Sequence, residues 1–497
     1  MKLYAQFLAA LLAVLLVMVA FAACQTPGEN QCDSSASVPG GETSVPAADS
    51  GGEDTSESRL NVHDDLPDGL KYNGATFTVL GLEGVHDFVL DETEPTGRLD
   101  SALFRRDQTV EERLDIDIVY VAPGFDQLPV YFQNSIASQE STYDLYLGQV
   151  VRTGVEVLNG NCLKWSELPY VNFDKPWYPA NTVAALTLNG KQYINIGALN
   201  ISSLAFTNCV FFSKDRAEDH KIGDMYDIVN NGEWTYDRLF NIVKDLYVDE
   251  NRNNVADEGD FYGLSVRSGD IPVFMWAFDQ KLVTFADDGT FELTFMSDKT
   301  VDIVNKVRSL FYDTIGTTSL ADAATDWDGI AMFRNNRSLF DFGLVGQTLW
   351  YLADYENYGI IPYPKYNEDQ KEYYTFADGS STGMVVPTYV EDTRYVSAVI
   401  EALNAESWRT CELEYYNIAL KTRGTRDDES IAMLDLLFAG RVTDIQYIHD
   451  AWKGFAFSLE ILCQPNNKTE LASFYQSKVD AVTAHYQSLV DWYFGDY

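Results

Sequence analysis

Twelve residues near the middle of the chain, Asp249-Glu250-Asn251-Arg252-Asn253-Asn254-Val255-Ala256-Asp257-Glu258-Gly259-Asp260, place side-chain oxygens at positions 1, 3, 5, 9 and 12 of a loop. Position 7 adds the Val255 carbonyl. A hard dication such as calcium takes about six to eight oxygens at roughly 2.3–2.6 Å, and this spacing wraps them around one point. The expected ligands are therefore Asp249, Asn251, Asn253, Val255, Asp257 and Asp260, and the expected ion is a structural Ca2+. Asn254 stands at position 6, where the EF-hand loop has Gly, but Asn tolerates the left-handed conformation. Asp260 replaces the longer Glu at position 12. The competing reading is a solvated acidic turn. Other chemistry is sparse: there is no H-E-x-x-H or Walker loop, and the five His are scattered singly. Beyond Cys24 an odd number of Cys remains (Cys32, Cys162, Cys209, Cys411, Cys463) with no C-x-x-C pair, so neither a metal cluster nor a complete disulfide framework follows.

A different chemistry marks the start. A Lys2-led apolar run, Leu8 to Phe21, ends at Ala22-Ala23-Cys24. The run is short of the roughly 20 residues that span a bilayer, which predicts a signal peptide over 1–23. Its ending resembles the bacterial lipobox, with Phe21 a departure, and implies a lipidated Cys24 at the head of the mature chain. Acyl chains at ~0.8 kcal/mol per buried methylene would hold it on a membrane face. From Gln25 to about Leu66 there is no aromatic residue, and nine acids face Arg59 alone. Such a segment cannot bury enough to fold, and residues 24–70 are expected to form a disordered acidic tether with a reach of roughly 35 Å.

The rest carries all nine Trp and most of the aromatic load, enough for a large core or two. With 75 acidic against 35 basic residues the net charge is −40, which argues against nucleic acid or anionic lipid as partner. Residues 75–148 alternate strand (75–82), helix (100–114), strand (116–121), helix (126–139) and strand (143–148). Two successive βαβ units predict a mainly parallel α/β sheet, with ligands beyond the carboxyl ends of its strands. Thr235 is the expected N-cap of a helix over 236–246, followed by the acidic loop and a strand over 262–267. Further helices are expected at 300–312, 390–405, 428–437 and 469–494.

In this order the pieces resemble the extracellular solute-binding proteins of ABC importers, the group of carbohydrate receptors that includes the maltose-binding protein. The residues that carry the resemblance run in sequence: Tyr143-Asp144-Leu145-Tyr146-Leu147-Gly148; Asn189-Gly190-Lys191-Gln192-Tyr193 with Val210-Phe211-Phe212-Ser213-Lys214-Asp215; Trp234-Thr235-Tyr236-Asp237; Phe333-Arg334-Asn335-Asn336-Arg337; Tyr358-Gly359-Ile360-Ile361-Pro362-Tyr363-Pro364-Lys365; and Val385-Val386-Pro387. The resemblance implies a type II two-lobed fold that closes on its ligand by hinge motion. It places lobe 1 at 71–205 plus about 330–388, and lobe 2 at about 206–329 plus 389–497. It also implies a monomer on the extracellular face of a bacterial cytoplasmic membrane, held by lipid only, that hands a sugar or oligosaccharide to an ABC permease and performs no catalysis.

Saccharide sites combine aromatic faces with planar polar side chains. Gln149 and Arg152 directly follow the third strand, at the binding end, and Asp87 follows the first, together with Asp91 and Glu92. By the resemblance, Trp276, Trp350, Tyr447 and Trp452 bring aromatic rings to the cleft. Two other readings suit parts of the chain: a surface adhesion or scaffold lipoprotein, and an anchored polysaccharide hydrolase, since carboxylates and aromatics also serve glycoside cleavage.

Overall fold

A computed structural model describes residues 56–495 apart from 319–327, 356, 422–427 and 451–453. Strand β1 (Ala75–Gly81), helix α1 (Arg98–Leu114), β2 (Ile116–Val121), α2 (Leu128–Ser138), β3 (Leu145–Gln149) and α3 (Val150–Leu158) follow the predicted alternation within a few residues. The reason is visible in burial. Phe77, Val79 and Leu80 of β1 are sealed, while α1 turns Leu99, Leu103, Val110 and Leu114 inward at helical spacing. After the crossing come β4 (Asn208–Ser213), α4 (Tyr236–Val243), β5 (Tyr247–Val248), β6 (Phe261–Ser265), α5 (Val273–Ala277), α6 (Asp298–Tyr312), β7 (Ser338–Leu344), β8 (Tyr358–Ile361), β9 (Thr375–Phe376) and β10 (Thr382–Val385). The Thr235 hydroxyl accepts from the Arg238 N–H and starts α4, as its side chain predicts. The helices of the C-terminal part include α7 (Thr393–Glu406), α8 (Asp428–Ala439), α9 (Ile445–Asp450) and α10 (Leu471–Phe494).

The strands form two main sheets. The first has the order β10-β3-β1-β2, parallel except for β10. The second has the order β8-β4-β7-β6-β5, with β6 and β7 parallel and the other neighbours antiparallel. The chain crosses between them twice, side by side: the Asp378 N–H donates to the Phe206 carbonyl (2.8 Å) and the Asn208 amide donates to the Phe376 carbonyl (2.9 Å).

This pairing corrects two expected boundaries. A return to lobe 1 near residue 330 does not fit, because β7 lies between β4 and β6, and β8 pairs with β4. The run Ser338–Leu344 is buried throughout, as a central strand covered on both faces must be. The return comes after β9. Residues 389–411 in turn pack on the first sheet's helices: Trp177 Nε1 and Tyr178 OH donate to the buried Glu401, and Arg106 reaches Ser407. Residues 445–450 and 454–495 touch both lobes. Tyr493 packs edge-on against Tyr193, while Phe455 stacks on Phe295 at 4.4 Å. Helix α9 lies close against α3, where a Cβ on Gly154 would come within 2.2 Å of the Ile448 carbonyl oxygen.

The expected tether also ends earlier than residue 70. Residues 56–60 form a helical turn whose Arg59 is buried over the Trp408 ring (4.6 Å) and donates to the Trp408 carbonyl and the Glu412 carboxylate. Asp64 takes both ends of the Arg113 guanidinium (2.6 and 2.7 Å), and Lys175 reaches Asp65. The acids that look free in the sequence find bases that lie distant in the chain. Residues 1–55, with Cys24, lie outside the described residues. Among the described residues no helix is long and apolar enough to cross a membrane, and Cys162, Cys209, Cys411 and Cys463 are free and buried.

Candidate functional site

The carboxyl ends of β3, β6, β7 and β8 and the two crossings bring most of the candidate ligand residues into one zone. Trp276, on the short helix after β6, stacks on Phe376 of the second crossing (3.9 Å, 12°). Tyr447 meets both rings edge-on, at 5.3 and 4.8 Å. Trp276 Nε1 donates to the Asp444 carboxylate (2.7 Å), whose proton affinity is raised by burial. Gly379 links this group to α3: its N–H donates to the Tyr447 hydroxyl (3.2 Å), and its carbonyl accepts from the Val151 N–H. Trp276 and Tyr447 are both buried, ring on ring.

Gln149 ends β3 opposite Thr382, two residues before Val151. It is 1% exposed, and among the described residues neither its Oε1 nor its Nε2 has a hydrogen-bond partner. Trp350 is half-buried with its ring 5.6 Å from Phe206 of the first crossing. Trp452 lies outside the described residues.

Two expected ligand residues sit elsewhere. Asp87 is fully buried, not presented on an open loop. Its carboxylate accepts from the Ser202 N–H (2.7 Å), the Ser202 hydroxyl (3.0 Å) and the Thr382 hydroxyl. Burial pushes its pKa up to about 6, against the pull of those bonds. It braces the strand ends from below, whereas its neighbours Asp91 and Glu92 are exposed. Arg152 turns to the loop after β2, with its guanidinium 4.3 Å over the Phe125 ring and 3.9 Å from Asp126.

The second sheet adds residues that the sequence did not mark. Just past β6, Arg267 Nη2 donates to Asp270 (2.6 Å), while its Nε is buried without a partner. Asp341 in β7 accepts from the Ser265 hydroxyl (2.6 Å) through one oxygen. Its other oxygen, the Tyr363 hydroxyl and Gln347 Nε2 are buried and unpartnered. Burial pushes Asp341 up to about 8. The one available signal was an Asp inside the otherwise apolar run Leu339-Phe340-Asp341-Phe342.

The acidic loop lies at the other end of β6, between its amino end and β5. Asn251 and Asn253 amides donate to the Asp257 carboxylate (2.8 and 2.6 Å), which holds its pKa down; the Asn253 bond is the larger cause. Asp260 is fully buried; one oxygen accepts from the Tyr247 hydroxyl (2.7 Å) and the other has no partner. Among the described residues no three His, Cys, Asp or Glu side chains stand together as a metal cluster, so a cation here depends on the Asn and carbonyl oxygens as well. The orphaned oxygen and the all-oxygen donor set fit a hard dication.

No protein-family model matches this sequence, and no curated protein matches it. Solved structures do. A solute-binding protein of an ABC transporter from Thermotoga lettingae, bound to alpha-D-tagatose, superposes with a TM-score of 0.55 at 15% identity, covering 84% of this chain and 100% of that one. A cyclo/maltodextrin-binding protein complexed with maltotetraose gives 0.55 at 16%, covering 84% and 98%. The maltose-binding protein MalE of Listeria monocytogenes, complexed with maltose, gives 0.52 at 14%, covering 86% and 100%. Two sheets, paired crossings and this likeness over the full length of each neighbour lead to one conclusion: the chain has the two-lobed α/β fold of the ABC-transporter solute-binding proteins.

Proposed function

We propose that this chain captures a neutral sugar or oligosaccharide between its lobes and delivers it to an ABC permease, held on the outer face of the cytoplasmic membrane by a lipid on Cys24. The observation that carries the reading is a group of unsatisfied polar atoms beside the crossings. Gln149, Arg267, Asp341, Tyr363 and Gln347 hold buried polar atoms without partners, on the elements that border the crossings. An unmet buried donor or acceptor costs about 1–3 kcal/mol. Hydroxyls of a saccharide offer both donors and acceptors to such groups, and the rings of Trp276, Phe376, Tyr447 and Trp350 offer the apolar faces that sugars pack on. The structural neighbours with tagatose, maltotetraose and maltose bind ligands of this class. The acidic balance of the chain disfavours phosphorylated or uronic sugars.

Capture requires binding and closure and no bond-making step. A ligand with differential affinity for the closed form shifts the population toward it, and the closed form is what a permease reads. The test is a thermal-shift screen of the full mature chain against mono- and oligosaccharides. A ligand at 100 times its dissociation constant stabilises the fold by ~2.7 kcal/mol. Absence of any shift across neutral saccharides would remove the carbohydrate reading. The anchor has its own check: Cys24→Ala should release the protein from cells into the medium, and retention would count against lipidation.

A further inference from the structure

The end of helix α10 (Leu471–Phe494) is held from both lobes at once. On the lobe 1 side it meets a four-residue turn. Leu188 and Lys191 exchange both backbone hydrogen bonds (3.0 Å each), and Asn189 and Gly190 between them take φ of 51° and 69°. Two positive φ values in succession make a type I′ turn, for which Asn-Gly is a favoured pair. This turn caps the helix: Asn189 Nδ2 donates to the Tyr493 carbonyl (3.1 Å), and Lys191 Nζ donates to the Gly495 carbonyl. A helix leaves its last carbonyls without partners inside it, and a cation there also meets the negative end of its dipole. Gly495 itself stays at φ −69°, outside the left-handed cap conformation, so the cap comes from lobe 1.

Rings complete the lobe 1 contact. Tyr193, two residues past the turn, sets its ring 5.3 Å from Tyr493 and 5.9 Å from Trp492. Lobe 2 holds the same stretch of helix with the hairpin that follows α5, formed by Val283–Phe285 and Phe291–Leu293. At the hairpin's tip Gly289 takes a φ of 84°, and a Cβ there would come within 3.1 Å of the Phe494 ring and 3.3 Å of the Val490 side chain. Phe285 and Phe291 each lie 6.1 Å from Tyr486. Tyr486, Val490 and Phe494 stand at i, i+4 and i+8, so they form one stripe along the helix. Gln446 fastens the hairpin a second time: it accepts from the Val283 N–H (2.9 Å) and donates to the Val283 carbonyl.

We propose that the end of α10 is a third, non-covalent joint between the lobes, with the Asn189–Lys191 turn as its socket on lobe 1 and the hairpin tip as its socket on lobe 2. Two crossings alone would leave the lobes free to swing, the ordinary expectation for domains that share few contacts. The joint restrains that swing, because separation pulls either the turn off the last carbonyls or the hairpin off the stripe. The first loss strips α10 of its cap. The second exposes the buried side chains of Tyr486 and Val490 to water. A ligand shifts the lobes only by its differential affinity for their two arrangements, so the joint sets the arrangement from which any capture starts. It acts without ligand and does not depend on which solute the cleft takes.

The test reads the distance between the lobes in the ligand-free chain. The full mature chain with Cys24→Ser and Cys32→Ser keeps only buried native thiols, and takes spin labels at Asp117→Cys on β2 and Glu218→Cys on the helix Lys214–Asp219, both exposed positions. Pulsed electron resonance should give one narrow distance. In Asn189→Ala with Lys191→Met the share of longer distances should rise about two- to fivefold, the scale of a charged helix-end contact. Lys191→Met alone should give a smaller rise of the same sign, and Phe494→Ala a rise from the lobe 2 side. A broad distribution in the parent overturns the joint. A profile that superposes on the parent's in the double variant or in Phe494→Ala overturns the socket that variant removes, even where the melting temperature falls.

Discussion

Asp87 and Gln149 meet the same strand, β10, at the same residue, Thr382, and they are treated in opposite ways. Asp87 is an acid under the strand ends with both oxygens satisfied by Ser202 and Thr382. Gln149 is neutral, equally buried, and has no partner for either end of its amide. Asp341 in the second sheet stands between them, one oxygen held by Ser265 and the other unmet. Burial alone therefore does not separate a brace from a binder. The state of the hydrogen-bond partners sets the three apart, because a finished network rigidifies a fold.

The contrast can be broken by mutation. Asp87→Ala leaves the Ser202 N–H and two hydroxyls without an acceptor and should lower unfolding free energy by ~3 kcal/mol or more in a urea titration. A loss under 1 kcal/mol would deny it the role of brace.

Asp341 gives an intermediate, pH-dependent effect. Its folded pKa is raised to about 8 from 3.8, so between those values the folded chain binds more protons than the unfolded one, and stability falls as pH rises. Glu401 and Asp450, each raised to about 7, act in the same sense. His449 acts oppositely: its pKa is depressed to about 3, so its contribution is lost as pH falls below the unfolded value near 6.5. The window from pH 6.5 to 8 thus isolates the carboxyls. Asp341→Asn should flatten the decline there by on the order of 1 kcal/mol, and an unaltered slope would show that Asp341 titrates normally.

The smallest change is the most telling. Gln149→Leu removes two unmet polar atoms and should stabilise the unliganded chain by up to ~1 kcal/mol. The same substitution should weaken binding of any sugar found by the screen. Destabilisation with unchanged binding would make Gln149 a structural residue like Asp87.

Much of the fold was legible. The period-2 and helical patterns of residues 75–149 are local, and so is the Thr235 cap, because each depends on neighbours within a few positions. Membership of β7 was not. Leu339, Phe340 and Phe342 announce a strand buried on both faces, but a continuous apolar run does not say between which partners it lies. The tether misread residues 56–66 for a related reason. Arg59, Asp64 and Asp65 look solvated when counted with their neighbours, and become structural only through Glu412, Arg113 and Lys175. The place of Gln149 at a strand end was legible from local pattern, whereas only the resemblance put Trp276 and Tyr447 in one region, and neither segment carries a local sign of their contact across 171 positions. Asp341 left a faint one, as a charge in a greasy strand.

Gly154 gives α3 and α9 a place to touch backbone to backbone. Helix α3 belongs to the first lobe, and α9 to the C-terminal segment that carries Tyr447. At their contact the missing Cβ lets one backbone rest on the other. A door that shuts flush needs no gasket at its jamb, and for the same reason it tolerates no pebble there. One methyl at position 154 would act as that pebble, pushing the backbone at Ile448 away from α3 and moving its neighbour Tyr447 with it.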